Sequence, residues 1–265
     1  MDRYDIDCDD WRLKDKPHGI SGCFRLRNES EFMQQAVLSH LPWLDEAVLV
    51  VQPSDDNTVE LAHQMADEHH KINVYYYPYE CDWIDTPGFY DKDPNKPGHL
   101  VHMSNWALSK CHYSWIAKTE GDVIALSSFE NICAAIDVAP DANIYYGRVV
   151  INLAGEHCDM ISVDNPRNGG WDEAVFRNDP ATNFFTRVNK WETIQCRCQW
   201  LCMGWSGLHM KRCKRKHWNG WNGEKWIKLN SENLTSTLRS FNAVNQYPGP
   251  DDPLGGIILE EVSIA

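Results

Sequence analysis

The chain has no uninterrupted apolar run long enough to span a bilayer, and Met1 to Asp10 is acidic, without the apolar core of a secretory leader. A soluble, cytoplasmic protein is therefore expected, with membrane involvement limited to peripheral contact at the inner face. Cationic charge is also scarce: 25 Lys and Arg stand against 38 Asp and Glu, for a formal net charge of −13. That balance argues against nucleic acid as a partner, because binding it needs a basic face. The ten cysteines contain no Cys-x-x-Cys pair. Without an export signal, and with ample apolar material for a core, they are expected to be reduced thiols rather than a disulfide framework. Internal repeats and low-complexity tracts are absent as well.

What is present is a strand and helix alternation in a chain of 265 residues, enough for one large α/β domain. Residues 1–18 are polar and read as an N-terminal arm. Ile20 to Leu26 is the first predicted strand, and Asn28 with Glu31 forms a capping-box pattern for a helix carrying Phe32, Ala36 and Val37. Ala47 to Val51 is a continuous apolar run, as expected of a strand buried on both faces of a parallel sheet. Asn57 or Asp56 caps a second helix, with Glu60 placed for a capping box from Asn57, and Asn73 to Tyr77 is a third strand. Short repeating units of this kind imply a mostly parallel sheet with right-handed crossovers. The segment from Pro78 to Gly98 is a long loop, a candidate lid with Trp83, Phe89 and Tyr90. A helix from His99 to Cys111 leads to the next strand, and Ser127 with Glu130 opens another helix that stops before Pro140. Ile144 to Leu153 is strand-like, Asp164 to Gly170 is a loop, and the last forty residues read as a surface wrap.

The chemistry is concentrated where the apolar run Trp115 to Lys118 opens into Glu120-Gly121-Asp122. Carboxylates one residue apart at the C-terminal end of a strand share one side of the backbone. They also lie where open α/β sheets bind ligands. Two hard oxygen ligands pointing one way suit Mg²⁺ or Mn²⁺ and leave coordination positions for water and phosphates. An acidic turn between strand and helix is the plainer alternative for the same triplet.

The order of motifs resembles the nucleotide-diphospho-sugar glycosyltransferases of the GT-A fold, especially the inverting family 2. The resemblance rests on Arg25-Leu26-Arg27-Asn28-Glu29 after the first strand, Leu44-Asp45-Glu46 before the second, Ser54-Asp55-Asp56-Asn57-Thr58 after it, Asn105 on the helix, and the Glu120/Asp122 pair. It covers about residues 19–125. It implies a GT-A-like (Rossmann-like) mostly parallel sheet flanked by helices. Residues 19–125 would be the nucleotide-sugar half, and 126–265 a C-terminal acceptor-side elaboration. Three positions depart from the pattern: the metal motif starts with Glu120 rather than Asp, Gln52 stands where an acidic residue often meets the base, and Ser104 stands where Arg commonly precedes the helix Asn.

The resemblance further implies a nucleoside-diphosphate sugar as donor (UDP ahead of GDP or dTDP), a glycan or glycolipid acceptor, and a divalent metal (Mn²⁺ or Mg²⁺). Donor contacts would come from Arg25, Arg27, Asn28, Glu29, Gln52, Asp56, Asn105 and Lys211. Metal ligands would be Glu120, Asp122 and a late histidine, for which His209 is best placed, although a lone His is as readily structural. Asp172 or Glu173 would be the acceptor-side general base, or else merely acids at a helix N-terminus. Lys211 to Lys216 forms a basic knot that could clamp a diphosphate or meet a membrane surface, or simply be a solvated face. Twelve Trp residues offer flat faces for sugars, though Trp is also ordinary packing material. Rival readings are a zinc site from Cys196, Cys198, Cys202, His209, Cys213 and His217, a non-catalytic glycan-binding relative, and a sugar nucleotidyltransferase. The last usually carries a glycine-rich loop where Arg25 to Glu29 has none.

Overall fold

β-Branched and aliphatic residues crowded between turn signals build the first strands. β1 (Ile20–Leu26), β2 (Glu46–Val51) and β3 (Ile72–Tyr76) pair in parallel, with Gly22 opposite Ala47 and Val48 opposite Asn73. All six residues of β2 are buried, which explains a run without polar alternation. Burying each such Val or Leu contributes about 1.5–3 kcal/mol. In the computed structural model the described residues are 15–82, 84, 86–154, 157–163, 173–179, 183–189, 191–196, 199–212 and 227–228. By their contacts they fall into two units that interleave along the chain.

The first unit comprises the described residues of Met1–Ser30, Leu44–Thr119 and Val175–Gln199. Its parallel strands are extended by β4 (Trp115–Glu120), which follows α4 (Leu100–Ser109) and lies beside β1. Helix α2 (Thr58–Glu68) supplies the crossover between β2 and β3, burying Ala62 and Met65. The arrangement is the α/β, Rossmann-like one expected: a mostly parallel sheet flanked by helices. A hairpin of β9 (Asn183–Val188) and β10 (Trp191–Cys196) completes the unit.

The second unit comprises the described residues of Glu31–Trp43, Glu120–Ala174 and Trp200–Ala265, and here the pairing is antiparallel. β6 (Ala142–Ala154) pairs with β7 (His157–Val163), while the 14-residue β11 (Gln199–Arg212) pairs with both β6 and β5 (Val123–Ala125). Helices α1 (Met33–His40) and α5 (Phe129–Val138) bring Val37, Phe129 and Ile132 into its core. Ser39 Oγ accepts the Ala125 N–H at 2.9 Å, tying α1 to the short β5.

Several expectations need correction. Asn28 does not cap α1. It sits in the left-handed region with φ 56°, which Asn tolerates, and its Oδ1 accepts the Asp55 N–H at 2.7 Å. The helix begins only at Met33, and neither Phe32, Asn57 nor Ser128 makes a side-chain cap. At α2 the other expected candidate, Asp56, serves instead of Asn57: its Oδ1 accepts the Thr58 N–H at 3.0 Å. Glu173 opens a strand, β8 (Glu173–Arg177), not a helix, so the reading of an acid-decorated helix N-terminus fails there. The long loop holds a short helix, α3 (Pro87–Asp91), capped by Thr86. Arg187 Nη1 donates to the carbonyls of Phe89 (2.6 Å), Tyr90 (2.9 Å) and Lys92 (3.2 Å), which anchors that helix to β9. Asp164 to Gly170 and the last thirty-odd residues lie outside the described residues, as do residues 1–14 of the arm. Among the described residues no helix is long and apolar enough to cross a membrane. Cys23, Cys81, Cys111 and Cys133 take part in no disulfide.

Candidate functional site

The Glu120-Gly121-Asp122 turn joins β4 to β5, and β5 lies antiparallel to β11 with Val123 opposite His209 and Ala125 opposite Gly207. This ladder sets an imidazole from far along the chain against the turn. The backbone is held from both strands: the Met210 N–H donates to the Asp122 carbonyl at 2.7 Å, and the Leu126 N–H to that of Ser206 at 2.9 Å. His209 Nε2 lies 3.4 Å from Glu120 Oε2 and 3.3 Å from Asp122 Oδ1. One ligand atom from each residue falls within 4.8 Å of the others, and among the described residues this is the only such group.

Burial is uneven. The side chains of His209 and Asp122 are each 4% exposed, whereas that of Glu120 is 32% exposed. Both ring nitrogens of His209 are buried without a hydrogen-bond partner. A buried polar atom left in that state costs about 1–3 kcal/mol, so it calls for an explanation. A divalent cation would account for Nε2, because one imidazole nitrogen and two carboxylate oxygens make a sound donor set for an ion such as Mn²⁺. Carboxylates suit both Mg²⁺ and Mn²⁺.

The residues implied as donor contacts are in a different condition. Arg25, at the end of β1, pairs with Glu192 Oε2 at 2.7 Å, donates to Ser104 Oγ, and stacks over the Phe185 ring at 5.1 Å. Ser104 Oγ in turn bonds the other Glu192 oxygen. Arg27 pairs with Glu80 and donates to the Cys81 carbonyl at 3.0 Å. The Glu29 N–H donates to Thr58 Oγ1 at 2.8 Å. Gln52 is buried, and its Oε1 accepts the Cys81 N–H at 3.2 Å. Asp56 accepts from the Ser30 N–H (3.1 Å), Ser30 Oγ (2.8 Å), the Thr58 N–H and Thr58 Oγ1. Burial pushes the Asp56 pKa up, but these hydrogen bonds outweigh it and hold the carboxyl below its usual range.

Asn105 is occupied on both sides of its amide. Nδ2 donates to the Phe185 carbonyl at 2.9 Å, and Oδ1 accepts the Phe185 N–H at 2.7 Å. One side chain thus imitates a neighbouring strand and clasps the β9–β10 hairpin to α4. Sequence reasoning missed this hairpin and with it Glu192. The alternation of Phe185 and Arg187 against Glu192 and Ile194, around a turn at Asn189 with φ 53°, was the available signal.

Of the remaining predicted residues, Glu173 is fully buried on β8, and Asp172 lies outside the described residues. Lys211 belongs to β11, but its side chain is outside the described set. So are Cys196, Cys198, Cys202, Cys213 and His217 of the zinc reading, whose one described side chain, His209, stands with Glu120 and Asp122.

No protein-family model and no curated protein matches the sequence. In structure the chain is similar to solved nucleotide-sugar glycosyltransferases of the GT-A type. S. aureus TarS 1–349 in complex with UDP-GlcNAc shares 13% identity at a TM-score of 0.49, over 86% of this chain and 66% of that one. Glucosyl-3-phosphoglycerate synthase from Mycobacterium tuberculosis, with Mn²⁺, UDP and glucosyl-3-phosphoglycerate, shares 14% at 0.36, over 49% and 44%. GalNAc-T7 with UDP, GalNAc and Mn²⁺ shares 11% at 0.43, over 77% and 45%. The chain therefore spans less than two thirds of the length of each of these structures.

Proposed function

We propose that the chain is a metal-dependent glycosyltransferase. It moves a sugar from a nucleoside diphosphate, UDP ahead of GDP or dTDP, to a hydroxyl of a glycan or glycolipid, with inversion at the anomeric carbon. The observation that carries this reading is the Glu120, Asp122 and His209 cluster, with a buried imidazole that no hydrogen bond satisfies. In such a transfer the anomeric carbon–oxygen bond to the diphosphate breaks through an oxocarbenium-like transition state, and negative charge grows on the leaving group. A divalent ion held by these three residues would supply Lewis-acid stabilisation of that charge. Glu120, the more exposed ligand, is the member best able to shift as phosphates enter.

The acceptor oxygen forms the new bond to the anomeric carbon, and its proton passes to a carboxylate on the opposite face. Complete burial of Glu173 favours its neighbour Asp172 for that role. Arg25, Arg27, Asn28, Glu29, Gln52, Asp56, Asn105 and Lys211 are proposed to form or support the donor contacts. Those already bonded to one another act by holding the loops after β1 and β2 in place. The site of action is proposed to be the cytoplasm, with Lys211 to Lys216 as the contact to an anionic membrane face.

A thermal-shift screen against UDP, GDP, dTDP and CMP, with and without Mn²⁺, tests this, because a ligand that binds only the folded chain raises its apparent stability. The reading expects a Mn²⁺-dependent rise with one nucleoside diphosphate, and release of that diphosphate on sugar transfer. Pyrophosphate release from a nucleoside triphosphate would replace it with a nucleotidyltransferase. No response to any nucleotide would leave a non-catalytic glycan-binding relative.

A further inference from the structure

The inward face of the β9–β10 hairpin is fully committed. Phe185 is buried under Arg25, Arg187 anchors α3, and Glu192 pairs with Arg25, while Asn105 grips the Phe185 backbone. The strand register assigns the opposite face. Val188 stands across from Trp191, Thr186 from Thr193, and Phe184 from Gln195. Trp191 is 60% exposed and Val188 48%, and Thr193 and Gln195 are exposed beside them. Unlike most exposed surface in a chain with 24% charged residues, this face carries no ionisable side chain at the six positions that the register assigns to it.

We infer that this outward face is a binding platform for a neutral oligosaccharide. The inference rests on the sugar-transfer reading only for the platform's role, which is to hold the acceptor glycan. An exposed indole on a rigid ribbon offers a flat apolar face on which the C–H face of a pyranose can stack. The Thr186 and Thr193 hydroxyls and the Gln195 amide offer both donors and acceptors to sugar hydroxyls at fixed spacing along the strands. The absence of charge disfavours polyanions and anionic lipid headgroups, which are captured by Lys and Arg. Size disfavours a protein partner: two six-residue strands at roughly 3.4 Å per residue make a ribbon about 20 Å by 10 Å, on the order of 200 Å². A stable protein interface takes about 800 Å² from each partner. The double clasp by Asn105 and the ion pair to Arg25 keep the ribbon preorganised, which reduces the ordering cost of binding a flexible glycan.

The test is isothermal titration of the full chain with neutral hexasaccharides of glucose, mannose, galactose and N-acetylglucosamine, using wild type, Trp191→Ala, Trp191→Phe and Thr193→Val. The expected result is binding of at least one series, weakened at least tenfold by Trp191→Ala and less by Thr193→Val, and largely restored by Trp191→Phe. The UDP and Mn²⁺ thermal shift, measured on the same samples, should be unchanged in all four. That shift reads the transferase assignment separately, so either idea can fail alone. Equal affinity in Trp191→Ala, or no binding of any neutral hexasaccharide, would overturn the platform. So would Trp191-dependent binding to phosphatidylcholine vesicles or Trp191-dependent self-association in sedimentation, each of which assigns the face to a different occupant.

Discussion

The Glu120, Asp122 and His209 cluster and the loops after β1 and β2 came out of the sequence as parts of one functional set, yet their polar groups are in opposite states. Around β1 and β2 nearly every implied contact residue is engaged internally: Arg25 with Glu192, Asp56 with Ser30 and Thr58, and Asn105 with the Phe185 backbone. Around the Glu120 turn the imidazole of His209 is buried with neither nitrogen hydrogen-bonded. A motif residue can therefore be explained by folding alone where its hydrogen bonds close on themselves. A buried group left open between two carboxylates, as His209 is, marks where a ligand is to be sought, whereas His40, one of whose ring nitrogens also lacks a hydrogen bond, is accounted for by its packing against Phe129.

Substitutions can sharpen that contrast. The largest effect is expected from Asp122→Ala, which should lower sugar transfer by more than about 100-fold, in line with removing a transition-state charge stabiliser. Its melting temperature without metal should stay near wild type, because the side chain makes no part of the apolar core. Circular dichroism melts beside an activity assay check both halves, and full activity would detach the metal from the reaction.

A pH effect of intermediate size should arise in the second unit. His40 is buried, with Nδ1 2.7 Å from the Ala36 carbonyl and its ring 4.8 Å from that of Phe129, edge to face. Burial depresses its pKa to about 4 against 6.5 for a free imidazole. The unfolded chain therefore takes up this proton first as pH falls. Its contribution is fully present above pH ~6.5 and is lost progressively down to pH ~4, about 3 kcal/mol at most. Denaturant unfolding of wild type and His40→Leu across that range should diverge, with the variant showing the flatter profile.

Smaller still is the expectation for Asn105→Ala. Two hydrogen bonds to Phe185 are lost and two buried backbone groups left behind, at about 1–3 kcal/mol. Mn²⁺ affinity should be unchanged, since Asn105 is not among the proposed ligands. Hydrogen exchange at Phe185 should rise in the variant, and protection equal to wild type would contradict the clasp.

Legibility from sequence followed the same divide. β1 and β2 were readable because strands buried on both faces are written as local apolar runs: Ile20 to Leu26 and Ala47 to Val51 needed no knowledge of their neighbours. The capping patterns misled at Asn28, which bonds across to the loop after β2, and at Asn57, whose side chain makes no cap, choices that only tertiary contacts decide. Glu120 and Asp122 were found from adjacent residues. That His209 would stand with them could be proposed only by resemblance, because it depends on the register of β11 against β5. Antiparallel pairing between strands some 80 residues apart leaves no local periodicity to read. Glu192 was invisible for the same reason: its partner Arg25 is 167 residues away.

The most direct test of the central claim is a Mn²⁺ titration followed by electron paramagnetic resonance on wild type and His209→Ala, with and without UDP. Wild type should bind one ion, more tightly when UDP is present. His209→Ala should weaken that binding by at least the roughly 10- to 100-fold that the loss of an outer-shell partner typically costs. Identical Mn²⁺ affinity in the two proteins would contradict the assignment, and the buried imidazole would then need another explanation.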